Sequence, residues 1–394
     1  MPDINTMRKN AQQPADILAQ LVSFDTVSRH SNLALIDHIA AYLGDLGINC
    51  EVIYNINHDK ANLFATLGGP PDVPGIVLSG HTDVVPVDGQ DWSSNPFIME
   101  KRDGKLFGRG TADMKGFIAT CLAMAPEIAR APLREPIHVA FSYDEEVGCR
   151  GVAEMIEKVR AREPLPRICI IGEPTEMKVV NAHKGICAYR TTIKGRESHS
   201  SNTEFGESAI FAAARIVDHL RQIADGLKDG ADQSSPFEPP YTSINVGTLD
   251  GGSALNIVPN HCSFDWEYRP LPDDDIDYVL DSVNCFANDV VLPEMQANFP
   301  EASITTELIA RAPALMREEN SSAEELVLAL TGQNEATVVA YATEAGIFQE
   351  AGMSSVVCGP GCIDQAHRPD EFLAVSQLDE AEAFIRKLVA ALST

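Results

Sequence analysis

The spacing of apolar residues changes along the chain and predicts which elements form. Between about residues 14 and 45 apolar residues recur three and four apart, as in ADILAQLVSF and LALIDHIAAYLGDLG, which is typical of amphipathic helices. Short runs rich in Val and Ile, such as GIVLSG, IHVAFSY and RICIIG, then alternate with helical runs such as MKGFIATCLAMAPEIAR. This alternation predicts an α/β fold with a mostly parallel sheet that is covered by helices.

The pattern changes after about residue 184. The order becomes strand, helix, strand, strand, helix, strand in ICAYRTTIKG, ESAIFAAARIVDHLRQI, TSINVGTLDG, HCSFDWEYRPL, DIDYVLDSVNCFAND and SITTELI. That βαββαβ order matches the ferredoxin-like sandwich. The chain has 394 residues, more than one hydrophobic core normally serves. We therefore predict an inserted α+β domain over 184–312, within a catalytic domain formed by 1–183 and 313–394.

Side chains that bind metals follow four of the strand-like runs, and another opens a helix. In an open α/β sheet the ligand site lies beyond the carboxyl ends of the strands, so these side chains are expected to converge. Two divalent ions about 3.5–4 Å apart need a bridging carboxylate, with imidazole and carboxylate ligands on either side. Buried acids are also costly unless a cation compensates them. The sequence thus predicts a dinuclear metal centre formed by His81, Asp113, Glu146, Glu173 and His367.

Further acids beside these ligands have chemical uses of their own. Asp83, two residues after His81, can accept the second N–H of the imidazole and so fix which nitrogen faces the metal. Glu145 and Glu146 are adjacent, so one is expected to bind metal while the other acts as a base. Such a base takes a proton from the attacking water and delivers it to the leaving amine.

Composition excludes several classes of partner. The chain has 30 Lys and Arg against 57 Asp and Glu, a formal charge of -27, which argues against a nucleic-acid partner. No apolar run approaches the length that spans a bilayer, and the first residues do not resemble a signal peptide. The nine cysteines include no C-x-x-C pair. We expect a soluble cytoplasmic protein with no membrane partner.

A family resemblance follows from the motifs. GHTDVVP, GRGTADMKG, SYDEEVGCRG, IGEPT and QAHRPDEF look like the successive motifs of the M20 metallopeptidase and deacylase family, in order over almost the whole chain. Within that family, VNAHKG, GGSALNIVPN, EYRPLP and TEAGIFQEAG are most similar to the proteobacterial acetylornithine deacetylase type. The resemblance implies a small acyl amino acid substrate, N2-acetyl-L-ornithine, and release of ornithine and acetate in arginine biosynthesis. It also implies two zinc ions, with cobalt as an alternative.

The resemblance implies a role for each ligand. Asp113 would bridge the two ions, His81 and Glu173 would complete the shell of one, and Glu146 and His367 that of the other. Glu145 would be the general base and acid. The inserted domain would serve as a lid and as the dimerisation surface of a homodimer.

Three residues of the inserted domain match family positions that contact the substrate. His199 would reach the partner's site and polarise the scissile carbonyl, the alternative being a surface histidine in a turn among serines. Asn256 and Arg269 would hold the substrate. A guanidinium pairs bidentately with an α-carboxylate, but Arg269 could instead pair with an acid such as Asp273 or Asp274.

Substrate choice leaves further alternatives open. Glu344 in ATEAGIF is a candidate partner for the ammonium of the ornithine side chain, and a surface glutamate at a helix start is the alternative. A succinyl-diaminopimelate desuccinylase, or a broader aminoacylase or carboxypeptidase, would use the same metals. A metal-stabilised amino-acid-binding protein is the alternative outside enzymes, and Glu145 argues against it because binding alone needs no base.

Overall fold

A computed structural model of the protein describes residues 12–393. The helices, numbered along the described chain, are α1 Pro14–Val22, α2 Leu33–Asp45, α3 Gly116–Ile128, α4 Ala153–Arg160, α5 Ala209–Asp229, α6 Tyr278–Phe286, α7 Leu292–Asn298, α8 Ser322–Thr331, α9 Ala345–Glu350 and α10 Val375–Leu392. The strands are β1 Cys50–Tyr54, β2 Ala61–Gly68, β3 Ile76–His81, β4 Glu100–Arg102, β5 Lys105–Phe107, β6 Ile137–Ser142, β7 Ile168–Pro174, β8 Val180–His183, β9 Ile186–Lys194, β10 Ser243–Gly251, β11 His261–Arg269, β12 Ser303–Ala312, β13 Thr337–Val339, β14 Ser354–Gly359 and β15 Phe372–Ala374.

The described chain divides into two compact units. The first comprises 12–182, 315–337 and 343–393, and the second comprises 183–314 and 338–342. The second unit therefore interrupts the first in sequence.

The first unit is built on an eight-stranded sheet with the order β1-β2-β6-β3-β7-β14-β8-β13. Its four central strands, β6, β3, β7 and β14, pair in parallel, with Ile76 of β3 opposite both Ile137 and Ile168. Every residue of β3, β6 and β7 is buried, as expected for strands covered on both faces. The predicted α/β fold class is confirmed. Its sheet is less uniform than expected, because β1 and β2 pair antiparallel on one side and β8 on the other.

Helices α1, α3 and α10 pack together in the main core of this unit. Helix α3 buries most of its length, including Phe117 and Ile118, and α10 contributes Phe384 and Leu388 to the same cluster. Strand β7 passes close beneath α3, because a Cβ added to Gly172 would lie 2.0 Å from the Phe117 ring. The glycine is what permits this close approach of helix and strand.

The second unit is an antiparallel sheet of order β10-β11-β9-β12 packed against α5, α6 and α7. Along β11 buried residues alternate with more exposed ones, so one face carries Phe264, Trp266 and Tyr268 into the core. Element order and strand order are those of the predicted ferredoxin-like βαββαβ arrangement, which is confirmed.

Several short elements differ from the sequence expectation. A small sheet of order β15-β5-β4 pairs Phe372 with Phe107, and helix α7 precedes β12. Strands of three residues are too short to give a periodic pattern. Among the described residues, no helix is long and apolar enough to cross a bilayer. The polar start that bears on a signal peptide lies mainly in 1–11, outside the described residues.

Candidate metal centre

The carboxyl ends of the central parallel strands carry most of the predicted ligands. His81 is the last residue of β3, and Glu173 lies next to the end of β7. Glu146 lies in the loop after β6, and His367 follows β14. Because these four strands run in the same direction, their ends meet at one edge of the sheet. Asp113 reaches this edge from the irregular segment Thr111–Lys115, just before α3.

The structure brings these five side chains together around Asp113. One carboxylate oxygen, Asp113 Oδ1, lies 3.0 Å from His81 Nε2, which is itself 3.7 Å from Glu173 Oε1. The other oxygen, Asp113 Oδ2, lies 3.5 Å from His367 Nε2, which is 3.0 Å from Glu146 Oε2. Each oxygen of Asp113 therefore contacts one imidazole, and each imidazole has a glutamate oxygen beside it.

These spacings fit two metal ions. Donor atoms bound to one tetrahedral zinc at about 2.0–2.2 Å lie roughly 3.3–3.6 Å apart. The donor separations around Asp113 range from 3.0 to 3.7 Å, close to that value. His81, Asp113 and Glu146 each offer one ligand atom, and these three atoms lie within 4.8 Å of one another. A set of imidazoles and carboxylates at this spacing can hold a dinuclear centre with Asp113 as the shared ligand.

The ring of His81 has a fixed orientation. Its Nδ1 lies 2.9 Å from the backbone oxygen of Asp83 and 3.5 Å from that residue's carboxylate Oδ1. A carbonyl oxygen only accepts hydrogen bonds, so Nδ1 donates to it and Nε2 is left for a metal. The sequence suggested the carboxylate of Asp83 as the acceptor, whereas the backbone oxygen is the closer one.

The carboxylate of Asp83 has other partners. It accepts hydrogen bonds from the backbone N–H groups of Glu145 at 3.1 Å and Glu146 at 3.2 Å, and from Ser28 Oγ at 2.7 Å. Burial alone would raise the pKa of Asp83, but its bond and proximity to His81, together with these donors, lower it. Asp83 thus stays ionised and anchors the loop that carries the two glutamates. Sequence reasoning missed this contact and Ser28, because neither follows from residue spacing.

Negative charge is crowded in this cluster. Burial raises the pKa of Glu146 to about 7, and the charge of Asp113 adds to the rise. Burial likewise raises the pKa of Glu173 well above its ordinary value, again with a contribution from Asp113. Hydrogen bonds to Asp113 and Glu146 raise the pKa of His367 to about 10. These raised pKa values reflect the crowding of several carboxylates in a buried site, whose negative charge divalent cations would compensate.

Glu145 lies beside the donor set. Its carboxylate, with His81 and Glu173, offers atoms within 4.8 Å of one another, and it accepts a weak hydrogen bond from Cys149 Sγ at 3.5 Å. Burial, then the charges of Glu146 and Glu344, raise its pKa well above the usual value for a glutamate, while His81 opposes the rise. A carboxylate with a raised pKa next to the reaction centre is suited to accept and return a proton.

Glu344 is buried, not on the surface. Only 2% of the residue is exposed, and it lies immediately before α9. Burial raises its pKa to about 7, while Ser142 and His81 oppose the rise. The alternative of a surface glutamate at a helix start is therefore wrong on exposure, although the residue does precede a helix.

The other candidates, His199, Asn256 and Arg269, belong to the second unit. His199 is exposed, and its Nδ1 lies 2.8 Å from Ser201 Oγ in a turn among serines. The segment next to it is held by the backbone oxygen of Asn256, which accepts from Ser200 N at 3.0 Å. The structure thus places His199 and Asn256 on neighbouring segments of one surface.

Arg269 is paired, but with a different acid from those considered in the sequence. Its Nη2 lies 3.1 Å from Glu267 Oε2, two positions back on β11, and 30% of its side chain is exposed. The alternative of a salt bridge with a nearby acid is thus what the structure shows, but with Glu267 instead of Asp273 or Asp274, because side chains two apart on a strand share a face. Arg269 would have to exchange this partner to bind a carboxylate.

Comparison with known proteins identifies the family. The model of peptidase family M20/M25/M40 matches residues 77–391. The chain belongs to this peptidase family. The match includes every predicted ligand, all of the second unit and most of the first, so the resemblance inferred from the motifs is confirmed.

Several known proteins are similar to this M20 member over most of its length. An acetylornithine deacetylase of Myxococcus xanthus is 35% identical over 381 residues, which cover 95% of this chain and 96% of that protein. Another, from Shigella sonnei, is 36% identical over 344 residues, covering 87% of this chain and 86% of that protein. An M20 metallo-carboxypeptidase from Sulfolobus solfataricus has the same fold, with a TM-score of 0.74 at 16% identity over 96% of this chain and 98% of its own.

The chain is therefore a metal-dependent hydrolase of amide bonds. The alternative of a binding protein without catalytic activity is set aside.

Proposed function

We propose that this M20 hydrolase removes the acetyl group from N2-acetyl-L-ornithine, giving L-ornithine and acetate for arginine biosynthesis. The observation that carries this proposal is the similarity, over 95% and 87% of the chain, to two acetylornithine deacetylases. The donor cluster around Asp113 supplies the means of hydrolysing an amide.

The centre would hold two divalent ions, zinc in the first instance and cobalt as an alternative. His81, Glu173 and one oxygen of Asp113 would hold one ion, while Glu146, His367 and the other oxygen would hold the second. When bound, such a pair lowers the pKa of water and polarises the acyl carbonyl. The contacts of His81 with one oxygen of Asp113 and of His367 with the other support this assignment.

Glu145 would move the proton in the reaction. It takes a proton from the attacking water, whose oxygen forms a bond to the acyl carbon. The C–N bond then breaks, and Glu145 gives the proton to the departing nitrogen, so acetate and the free amine leave. Asp83 positions Glu145 through its backbone N–H. To His199, Asn256 and Arg269 we assign the contacts with the carbonyl, the substrate and the α-carboxylate that the resemblance implied.

The second unit would act as a lid and would join two copies in a homodimer. It exposes large apolar side chains, among them Phe211 at 75% and Leu255 at 102%, beside Ile257. All three line a cavity of about 750 Å³. Apolar patches of this kind commonly mark protein interfaces. A fully active monomer would contradict this part of the proposal.

A cytoplasmic location is in keeping with the cysteines. All nine lie among the described residues and none is in a disulfide. Reduced cysteines are usual in the cytosol.

Substitution of Glu145 by Gln tests the mechanism. The amide cannot accept the proton, so we expect kcat to fall by about 10²–10⁴-fold while the content of bound metal stays the same. Steady-state assays and metal analysis of the purified proteins measure both quantities. The exposed Glu157, substituted in the same way, provides the control and should leave kcat unchanged. Near-normal turnover of Glu145→Gln would exclude the proposed base.

The substrate is decided by a panel of acyl amino acids assayed with added Zn²⁺ or Co²⁺. We expect kcat/KM to be highest for N2-acetyl-L-ornithine. A higher value for N-succinyl-diaminopimelate would instead assign a desuccinylase. Higher values for other acyl amino acids or for dipeptides would assign a broader aminoacylase or a carboxypeptidase.

A further inference from the structure

Two buried charged residues of the first unit have no part in the proposed chemistry. The side chains of Arg109 and Glu371 are each only 1% exposed, and Arg109 Nη1 donates to Glu371 Oε2 at 2.7 Å. Neither belongs to the donor set around Asp113. A buried ion pair is expensive unless its geometry is good and its remaining polar atoms are satisfied. The partners of this pair therefore indicate what it does.

Glu371 holds the loop that carries Asp113. Its Oε1 accepts from the backbone N–H groups of Ala112 at 2.8 Å and Asp113 at 3.1 Å, and its Oε2 accepts from that of Gly110 at 3.0 Å. This loop lacks regular helical geometry, since Gly110 has φ 82° and Asp113 has φ −124° and ψ 94°. One carboxylate thus satisfies three N–H groups in an irregular segment.

Arg109 connects the same carboxylate to the loop that carries His367. Its Nη1 also donates to the backbone oxygen of Arg368 at 3.3 Å, and its Nη2 donates to Gln90 Oε1 at 2.6 Å. Gln90 in turn donates from Nε2 to the backbone oxygen of His367 at 2.9 Å. Continuous hydrogen bonds therefore run from the backbone of Asp113 to that of His367.

We propose that Glu371, Arg109 and Gln90 form a positioning network that fixes Asp113 relative to His367 and so sets the affinity of the second metal position. This inference rests on the proposed dinuclear centre. His367 depends on such support, because 58% of its side chain is exposed and it lies at φ 63°. Residues that orient metal ligands commonly change metal affinity by 10–100-fold when they are substituted.

Glutamine is the informative substitution at position 371. It keeps the shape of glutamate but replaces one acceptor oxygen with an NH₂ group. That group would face either the N–H of Gly110 or those of Ala112 and Asp113, donor against donor. The substitution would also remove the negative charge that pairs with Arg109.

Titration of the metal-free protein with Zn²⁺ by calorimetry tests the inference. For Glu371→Gln we expect the dissociation constant of the position completed by Glu146 and His367 to rise by about 10–100-fold. The dissociation constant of the other position should rise by less than about threefold. We also expect kcat to recover at high metal concentration, with KM little changed. Glu127→Gln on α3, which breaks an exposed ion pair with Arg386 of α10, is the matched control and should leave both constants unchanged.

A second variant keeps the test informative if Glu371→Gln does not fold. Gln90→Ala removes the link to His367 while Arg109 stays paired with Glu371. It should raise the same dissociation constant to a smaller degree. Unchanged constants in both variants would overturn the inference, as would an equal rise of both constants with a lower unfolding temperature of the metal-free protein. A wild-type protein that binds fewer than two ions would contradict the proposed function itself, and this inference with it.

Discussion

At the scale of single residues, the sequence could name the donors but not the side chains that hold them. His81 and Glu173 were predictable because each lies at the end of a buried strand rich in Val and Ile, where a polar group needs a partner, and His367 because it follows another such strand. The anchoring by Asp83 and Glu371 was not predictable, because both accept from backbone N–H groups of segments distant in sequence. Such contacts leave no spacing pattern. The letters QAHRPDEF contain Glu371, but only the fold gives it a role.

Glu344 gives a test of substrate choice at this scale. If its carboxylate pairs with the side-chain ammonium of the substrate, Glu344→Gln should lower kcat/KM for N2-acetyl-L-ornithine. The expected loss is about 10–100-fold, because a hydrogen bond to a charged group contributes roughly 1.5–3 kcal/mol. Acetylmethionine has no ammonium in its side chain, so its kcat/KM should change much less.

The exposed Glu350, at the other end of α9, provides the matched control for Glu344. Glu350→Gln should leave both values of kcat/KM as they are. An unchanged preference for acetylornithine over acetylmethionine in Glu344→Gln would discard the pairing.

At the scale of elements, long periodic segments were predictable and short ones were not. Helices α1, α2 and α3 and the buried strands β3, β6 and β7 lie where the apolar pattern placed them. The three-residue strands β4, β5 and β15 are too short to show a period. The irregular segment Thr111–Lys115 could not be predicted, because contacts with Glu371 far along the chain hold its backbone.

The close approach of α3 and β7 leads to a prediction about stability. In Gly172→Ala the new methyl group would meet the Phe117 ring at 2.0 Å, so helix and strand must move apart. Overpacking of this kind costs typically 1–3 kcal/mol, and we expect a loss at the upper end of that range. Denaturation of the metal-free protein in urea measures the change.

The matched control for Gly172→Ala has the opposite sign. Gly226 lies inside α5, and a Cβ there would meet nothing within 4 Å. Gly226→Ala should therefore stabilise the protein by about 0.5–1 kcal/mol, because alanine has the higher helix propensity. Equal effects of the two substitutions would show that the helix and strand are not closely packed.

At the scale of the whole molecule, the change of pattern near residue 184 reflects a real change of architecture. The first unit has a central parallel sheet and the second an antiparallel one, because crossover helices cover parallel strands while the βαββαβ order builds antiparallel neighbours. The formal charge of -27 is spread over a chain whose buried centre also carries an excess of acids. Cations at that centre would compensate the negative charge of these buried acids.

Anomalous diffraction at the zinc absorption edge, from crystals of the zinc-loaded protein, tests most directly whether Asp113 bridges a dinuclear centre. We expect two peaks about 3.5–4 Å apart, with Asp113 contributing one oxygen to each. One peak should lie about 2.0–2.2 Å from the donors of His81 and Glu173, and the other at that distance from those of Glu146 and His367. A single peak, or two peaks that do not share Asp113, would exclude the dinuclear centre bridged by Asp113.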